Sequence, residues 1–366
     1  MSNIIHLSEQ GFGVHTFEMK IVHLNKNDYH TIRDRIEKIS YTDKDNNRYI
    51  VITEKNSGLR INLYKNYGNP PYLSVIVNPA LLLGDNDPCH IMTCADKDRL
   101  RTRLDNSLKE YLGNEFGLSR FQLTRIDCTV DFVTASSELT SEYIRLVSRA
   151  IRLNNSADTH GFYRNCEYGD EDEKPDNHAK HCFRITNKCF YSFTVYDKLY
   201  DLIDKKHFEN KPYPFGILRF ELALMHRKIR EAAAAIGSDD IFELIGYITR
   251  NSEKYLKTFI SHKLVTGNFY KYSSAEKLIA EKGISGKIGR RLLWLLSMSI
   301  KAGTYNELMF LIDNELKSNS KLRSVIELMR NLSINPVALP EAMTYNADIL
   351  PGIHTIFGIE RSSTNE

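Results

Sequence analysis

Alternating apolar and polar residues along Leu123–Phe132 predict a β-strand. Arg125, Asp127, Thr129 and Asp131 fall on one face of it, and the residues between them are mostly apolar. The polar face is either a solvated surface, with Arg125 neutralising the acids, or a platform for a divalent cation, because carboxylate oxygens are the ligands that Mg²⁺ and Mn²⁺ select.

The same patterns predict elements on both sides of this strand. Period-2 alternation and short apolar runs predict strands, and apolar residues three or four positions apart predict helices. The predicted strands are 12–24, 49–53, 59–64, 72–77, 158–166 and 217–224, with a further β-stretch over 181–196, and the predicted helices are 28–39, 96–113, 136–153 and 197–206.

The pattern changes at His226, after which nearly all of the chain to about residue 332 has helical periodicity. We therefore predict an α+β catalytic domain over residues 1–225, with a mostly antiparallel sheet flanked by helices. Residues 226–366 are predicted to form an α-helical domain with a C-terminal tail. Residues 226–330 hold 18 Lys and Arg against 11 Asp and Glu, a net charge of about +7, so the basic charge is concentrated here.

The whole chain of 366 residues has a formal net charge of only +3, so any nucleic-acid contact must be local. Its six cysteines lack paired close spacing, no apolar signal segment follows Met1, and no run approaches eighteen apolar residues. These features predict a cytoplasmic protein with reduced thiols and no membrane contact.

A cluster of thiols and imidazoles raises the alternative of a zinc site. Its spacing does not match the usual zinc-binding motifs, so this alternative is weak, and the acidic stretch 167–177 is more typical of a solvated loop. The cluster comprises Cys166, His178, His181, Cys182 and Cys189.

A possible DNA-binding element lies within Ser274–Trp294, where one predicted helix, a glycine turn and a second predicted helix follow one another. The second helix opens with Lys287, Arg290 and Arg291. A helix-turn-helix that inserts these side chains into a DNA groove and a plain αα-hairpin both fit this pattern.

Three predicted strands carry polar residues that suggest a catalytic site. Asp127 and Asp131 lie on the first of them, and Arg219 and Glu221 share a face of another. Tyr196 stands where strand changes to helix, two residues before Lys198. Acids from separate strands near a tyrosine suit phosphodiester transesterification, in which a cation polarises the phosphate and the phenol oxygen attacks.

A tyrosine nucleophile forms a phosphodiester that a DNA 3′-hydroxyl can reverse, so the bond is kept for religation. Because the ordinary pKa of tyrosine is about 10, the phenol needs a metal ion or a cation such as Lys198 to favour phenolate. The chain holds 20 tyrosines, and Tyr191 or Tyr200 could attack instead of Tyr196.

Three segments then carry a family resemblance: Thr124–Asp127 (Thr-Arg-Ile-Asp), Val195–Lys198 (Val-Tyr-Asp-Lys) and Leu218–Glu221 (Leu-Arg-Phe-Glu). In this order they resemble the characteristic segments of the filamentous-phage gene II/X replication proteins, which belong to the rolling-circle replication initiators of phages and plasmids. Weaker similarities lie at Tyr72–Gly84 and Ile334–Pro340. The resemblance spans about residues 58–345, and each motif is short.

The resemblance implies a site-specific, metal-dependent DNA endonuclease and strand transferase that starts rolling-circle replication through a 5′-phosphotyrosine intermediate. It implies Tyr196 as nucleophile, Lys198 as its helper at the phosphate, and Asp127 and Glu221 as ligands of Mg²⁺ or Mn²⁺. Strand geometry alone, rather than the resemblance, adds Asp131 to the predicted set of metal ligands. The His-hydrophobic-His pair of the wider nickase group is absent from the sequence.

The expected partners are an origin duplex, the single-stranded nick site, and host helicase and polymerase. Arg125 and Arg219 join Lys287, Arg290 and Arg291 as predicted DNA contacts. Two other functions stay open: a DNA-binding regulator of replication or transcription that does not cleave, and a metal-dependent nuclease that uses activated water.

Overall fold

The computed structural model of this chain describes residues 5–36, 41–42, 48–52, 58–64, 70–84, 89–155, 181–187, 189–204, 215–302, 305–316, 319–342 and 347–359. Its strands are β1 (Ile5–Ile21), β2 (Tyr41–Thr42), β3 (Arg48–Ile52), β4 (Leu59–Tyr64), β5 (Tyr72–Val77), β6 (Gln122–Thr134), β7 (Cys182–Asn187), β8 (Tyr191–Asp197), β9 (Gly216–Met225), β10 (Phe269–Tyr270) and β11 (Ile349–Leu350).

The α-helices are α1 (Lys26–Ile36), α2 (Pro79–Leu83), α3 (Lys97–Leu112), α4 (Ser137–Asn155), α5 (Lys198–Asp204), α6 (His226–Ile236), α7 (Ile241–Arg250), α8 (Ser252–Lys263), α9 (Tyr272–Glu281), α10 (Gly286–Lys301), α11 (Tyr305–Leu316), α12 (Asn319–Asn331) and α13 (Ile353–Ile356). None of the helices in the described part of the chain has the length and apolar content needed to cross a bilayer.

One large sheet organises the fold, with the strand order β2-β3-β4-β5-β1-β6-β9-β8-β7. Neighbouring strands in it pair antiparallel. Together with the surrounding helices it confirms the predicted α+β class. The predicted strand 158–166 lies outside the described residues.

Helix α3 shows how the sequence pattern becomes packing. Leu100, Leu104, Leu108 and Leu112 recur at four-residue steps and are all fully buried. The helix ends at Gly113, whose φ of 106° is easily reached only by glycine.

The apolar face of the sheet packs against helices from both halves of the chain. Val130, Phe193 and Phe220 lie fully buried on this face. Helices α6, α7 and α8 pack directly on β6, and α4 packs on β8 and β9. Secondary structure does switch between β9 and α6, at the predicted boundary between residues 225 and 226, but the first helices after it share a core with the sheet.

Strand β1 is longer than its pattern predicts, because it starts at Ile5 rather than at residue 12. Its first residues pair with the end of β6, with Ile5 opposite Thr134. Ser8, Glu9 and Gln10 interrupt the apolar alternation, so the local sequence gives no strand signal there. The strand forms at these residues because it pairs within the sheet.

Candidate active site

Register places the predicted site residues in cross-strand rows on the polar face of the sheet. One row runs Asp131, Arg219 and Tyr196 across β6, β9 and β8. The next, two residues along, runs Thr129, Glu221 and Thr194, and the third contains Asp127. Because side chains on one face alternate with a period of two, these rows lie side by side on a single surface.

Tyr196 and Glu221 form the centre of the site. The Tyr196 hydroxyl donates a hydrogen bond of 2.7 Å to Oε1 of Glu221. The same oxygen lies 2.9 Å from Nδ1 of His15 on β1. A phenol and an imidazole therefore share one carboxylate oxygen, and the carboxylate fixes the position of the phenol.

A β-bulge in β1 brings His15 into this site. Val14 pairs with Cys128 and Phe17 pairs with Ile126, so two residues, His15 and Thr16, stand opposite Asp127. Such a bulge redirects side chains that regular alternation would place on opposite faces. Here His15 reaches Glu221 and Thr16 reaches Asp127.

Asp131 has a partner of its own. Its two oxygens each accept a bond of 2.6 Å from the guanidinium of Arg219, which also donates to the Cys89 carbonyl at 2.8 Å. Arg219 is fully buried and Asp131 nearly so. Arg219 therefore does not reach the surface where a DNA contact was predicted; its charge instead acts on Tyr196, its direct cross-strand neighbour.

Asp127 is held in a second, separate pair. Arg125 donates to its two oxygens at 2.9 Å and 2.7 Å, and the Thr16 hydroxyl donates to Oδ2 as well. The Arg125 side chain is about one-third exposed, so it remains a surface cation at the edge of the site. Its pKa is raised chiefly by the Asp127 carboxylate.

The three acids do not fit a shared Mg²⁺ or Mn²⁺ ion in this arrangement. Asp127 and Asp131 are four residues apart, which is roughly 13 Å along a strand, whereas Mg²⁺ binds its ligand oxygens at about 2.1 Å. In the described part of the chain, no three His, Cys, Asp or Glu side chains form a metal-binding group. Of the three acids, Glu221 lies beside the tyrosine.

The charge states follow from burial and from this network. Burial, and next the Glu221 carboxylate, raise the pKa of Tyr196 well above 10, so the resting side chain is a neutral phenol. Burial lowers the pKa of His15, so its Nδ1–H donates to Glu221 from a neutral ring. Burial alone would raise the pKa of Glu221, but His15 and Arg219 lower it, so Glu221 is ionised.

Lys198 is a buried cation at the start of α5, immediately after the tyrosine strand. Asp197, between Tyr196 and Lys198, accepts a bond from the Tyr200 backbone N–H and starts the helix there. Burial, and then repulsion by Arg219, lower the pKa of Lys198 to about 8, against the attraction of Asp201 at 3.6 Å. Lys198 can therefore change charge near neutral pH.

The two alternative tyrosines are placed differently. The Tyr200 ring stacks on His181, with centroids 3.7 Å apart. Tyr191 packs edge-on against Phe259 on the apolar side of the sheet. Tyr196 donates a hydrogen bond to Glu221, a predicted site acid.

The zinc alternative gains no geometric support in the described region. His181 lies near Asp197 and against Tyr200, Cys182 is a strand residue of β7, and Cys189 is exposed. Cys166, His178 and the acidic stretch 167–177 lie outside the described residues.

The predicted DNA-binding residues of the helical half lie on α10. Lys287 and Arg290 are exposed and Arg291 is half-buried. Helices α9 and α10 are joined by residues 282–285, and α10 also packs on α11 and α12. These cations lie on α10, whereas Tyr196 lies on β8.

A scan against models of known protein families finds no match for this chain, and a search of curated proteins finds no significant relative. The resemblance to the gene II/X proteins thus rests on the three short segments and the two weaker similarities. Two of these segments supply Tyr196 and Glu221, which are in contact. This contact is an observation independent of the resemblance.

His15 is a site residue that the sequence pattern did not predict. A polar residue between Val14 and Phe17 in an apolar strand was the available signal. Strand periodicity could not identify its partner, because the bulge that directs it toward Glu221 depends on pairing with β6, more than a hundred residues away.

Proposed function

We propose that this protein is a DNA nicking and strand-transfer enzyme that initiates rolling-circle replication, with Tyr196 as the nucleophile. The observation that carries the proposal is the 2.7 Å hydrogen bond from the Tyr196 hydroxyl to Glu221, in a site that also holds Lys198 and Arg219. A tyrosine with a carboxylate acceptor and nearby cations has the groups that phosphodiester transesterification needs.

The first step forms a bond between Tyr196 Oη and phosphorus and breaks the bond from phosphorus to the 3′-oxygen. The phenol proton passes to Glu221, which already accepts its hydrogen bond. An incoming phosphodiester brings negative charge, which raises the pKa of Glu221 and makes it a better base. The phenolate need not exist beforehand, because proton and phosphorus transfer proceed together.

Lys198 supplies the proton that the departing 3′-oxygen needs. Its lowered pKa of about 8 makes it a stronger acid than an ordinary lysine. The products are a 5′-phosphotyrosine and a free 3′-hydroxyl, which serves as primer for a host polymerase while a host helicase unwinds the duplex. Attack by a 3′-hydroxyl on the phosphotyrosine reverses each transfer and rejoins the strand.

Cations on β6 and on α10 support the assignment of DNA contacts. Arg125 lies at the edge of the tyrosine site, and the exposed Lys287 and Arg290 lie on α10. We assign α10 to the origin duplex and the polar sheet face to the single-stranded nick site. Phosphate contacts of this kind position DNA without reading its sequence.

The direct test is incubation with DNA of the protein's own replicon and Mn²⁺ or Mg²⁺, followed by denaturing electrophoresis and mass mapping. The expected product is a nucleotide-modified peptide that contains Tyr196. Nicks without an attached peptide would indicate a water-activating nuclease, and DNA retardation without nicks would indicate the regulator.

The Glu221→Gln variant should nick DNA about 10²- to 10⁴-fold more slowly, because it lacks the general base. Asp127→Asn is the matched control: it alters a carboxylate of the same face that is bound to Arg125 rather than to Tyr196. Nicking rates, with DNA affinity by retardation, measure both.

We expect Asp127→Asn to retain most of the activity. An equal loss in the two variants, together with abolition by EDTA, would instead support an ion shared by these acids. The requirement for Mg²⁺ or Mn²⁺ stays a prediction, and the EDTA experiment tests it.

The nicking rate should fall as pH rises through about 8, where buried Lys198 loses its proton. The rate falls rather than rises because Lys198 acts as an acid, so its protonated form is the active one. Tyr196, with its raised pKa, stays neutral over the same interval and adds no titration. Rates of adduct formation from pH 6 to 9.5 measure the effect.

The control is Lys198→Arg, whose guanidinium stays protonated over this range. That variant should lack the decline near pH 8, whatever its absolute rate. A decline of the same midpoint in both proteins would remove Lys198 from the mechanism.

A further inference from the structure

A cavity lies on the opposite side of the sheet from Tyr196. It has a volume of about 420 Å³, within the range of about 300–1,000 Å³ that is typical of small-molecule sites. Strands β8 and β9 form its floor through Tyr191, Leu222 and Leu224, and helices α6, α7 and α8 form its walls. The Tyr196 site does not use any of these residues.

Aromatic rings dominate the interior of this cavity. Tyr191, Tyr247, Tyr255 and Phe259 line it, and Tyr191 meets Phe259 edge-on with centroids 5.0 Å apart. Burial and the neighbouring Tyr247 raise the pKa of Tyr255 to about 12, so its ring is uncharged. Uncharged aromatic faces of this kind stack on flat rings.

Cations surround the same cavity. The lysines Lys228, Lys254 and Lys263 line it together with His262, and none of the described lining residues is a carboxylate. Lys228 pairs with Glu231, whereas Lys254 and Lys263 form no ion pair with any described carboxylate. A cavity with aromatic walls and a positive rim complements a ligand that has a flat ring and a negative charge.

We propose that this cavity binds a nucleotide of single-stranded DNA, with the base against the aromatic rings and the phosphates at Lys254 and Lys263. The combination of stacking rings and backbone cations is the usual means of binding single strands without sequence preference. The inference rests on the proposed function, since that function makes single-stranded DNA the expected ligand.

The position of the cavity suits a single strand of DNA that also reaches Tyr196. Tyr191 and Tyr196 lie at opposite ends of β8, five residues or roughly 17 Å apart and on opposite faces. A single strand that passes around the sheet would contact both places with a length of several nucleotides, comparable to the site sizes of about 4–16 nucleotides in single-strand binders. The cavity would then hold DNA beside the nick rather than at it.

Fluorescence anisotropy with a labelled 12-nucleotide oligothymidylate, and with its abasic counterpart, tests the proposal. Tyr255→Leu should weaken binding of the oligothymidylate about 5- to 100-fold and leave binding of the abasic strand unchanged. Tyr255→Phe keeps the ring and should bind like the parent. Equal affinity of the Leu and Phe variants for oligothymidylate would overturn the assignment of the DNA base to the aromatic rings.

Two double lysine variants keep the test valid even if Tyr255→Leu fails to fold. Lys254→Gln with Lys263→Gln should lower the salt dependence of binding by about 1.4 in the slope of log K against log salt, at about 0.7 per phosphate contact. Lys26→Gln with Lys321→Gln removes the same charge from exposed positions outside the cavity. Equal slopes in the two double variants would overturn the proposal. This is the result expected if the cavity holds a protein segment instead of DNA.

Adduct formation by the parent protein is scored separately. Loss of oligothymidylate affinity in the cavity variants, without any adduct in the parent, would reject nicking and support the cavity as a single-strand site. An adduct in the parent, with normal oligothymidylate binding by the cavity variants, would reject the cavity alone.

Discussion

Tyr196→Phe should abolish the covalent protein–DNA adduct and reduce nicking by roughly 10³-fold or more, because removal of a nucleophile eliminates the covalent route. The change removes one oxygen atom and its bond to Glu221, while His15 still donates to the same carboxylate. The fold should therefore persist, at a cost of about 1.5–3 kcal/mol for the loss of a hydrogen bond to a charged group. Denaturing electrophoresis of protein incubated with origin DNA measures the adduct.

Tyr200→Phe is the matched control for this prediction. It removes the same atom from a tyrosine four residues away whose ring stacks on His181. We expect this variant to form the adduct at close to the parental rate. An adduct that survives in Tyr196→Phe and disappears in Tyr200→Phe would transfer the nucleophile to Tyr200.

Asp131→Asn should lower the free energy of unfolding by about 3–5 kcal/mol, because it leaves the Arg219 charge buried without its counter-ion. Arg219 is 0% exposed and depends on Asp131 for two hydrogen bonds of 2.6 Å. Chemical denaturation of parent and variant measures the change. This is the largest stability effect that we predict for a single substitution in the site.

Asp105→Asn provides the comparison for this substitution. It removes the same charge from a partly exposed pair with Lys109 on α3, and such pairs contribute about 0–1 kcal/mol. If Asp131→Asn changed stability no more than Asp105→Asn but lost nicking, Asp131 would act as a ligand in catalysis rather than as the counter-ion of Arg219.

The distinction between these roles changes how the acids of the site are understood. From sequence, Asp127, Asp131 and Glu221 were predicted to form one set of metal ligands. In the structure each acid has a different partner: Arg125, Arg219 and the Tyr196–His15 pair, respectively. Glu221 is thus the acid whose chemistry bears directly on the tyrosine.

Much of the fold follows from local sequence. The four-residue leucine repeat of α3, the alternation in β6 and the change of periodicity at His226 are all local signals, and the structure has the corresponding elements at nearly the same residues. They are readable because burial of one helix stripe or one strand face constrains residues close together in the chain.

The composition of the site depended on contacts between distant segments. Asp131 faces Arg219 across β6 and β9, and the bulge in β1 directs His15 to Glu221. The cavity between the sheet and helices α6–α8 exists only because helices that follow residue 226 pack on strands that precede it.

By itself, the sequence predicted many of the helices and strands and singled out Tyr196, Glu221 and Lys198 as candidate site residues. Only the tertiary structure decided which carboxylate meets the tyrosine, which ones neutralise arginines, and that a histidine joins the site. The physical reason is that periodicity assigns a side chain to a face, whereas its partner on that face is set by strand register and bulges, which result from packing of the whole sheet.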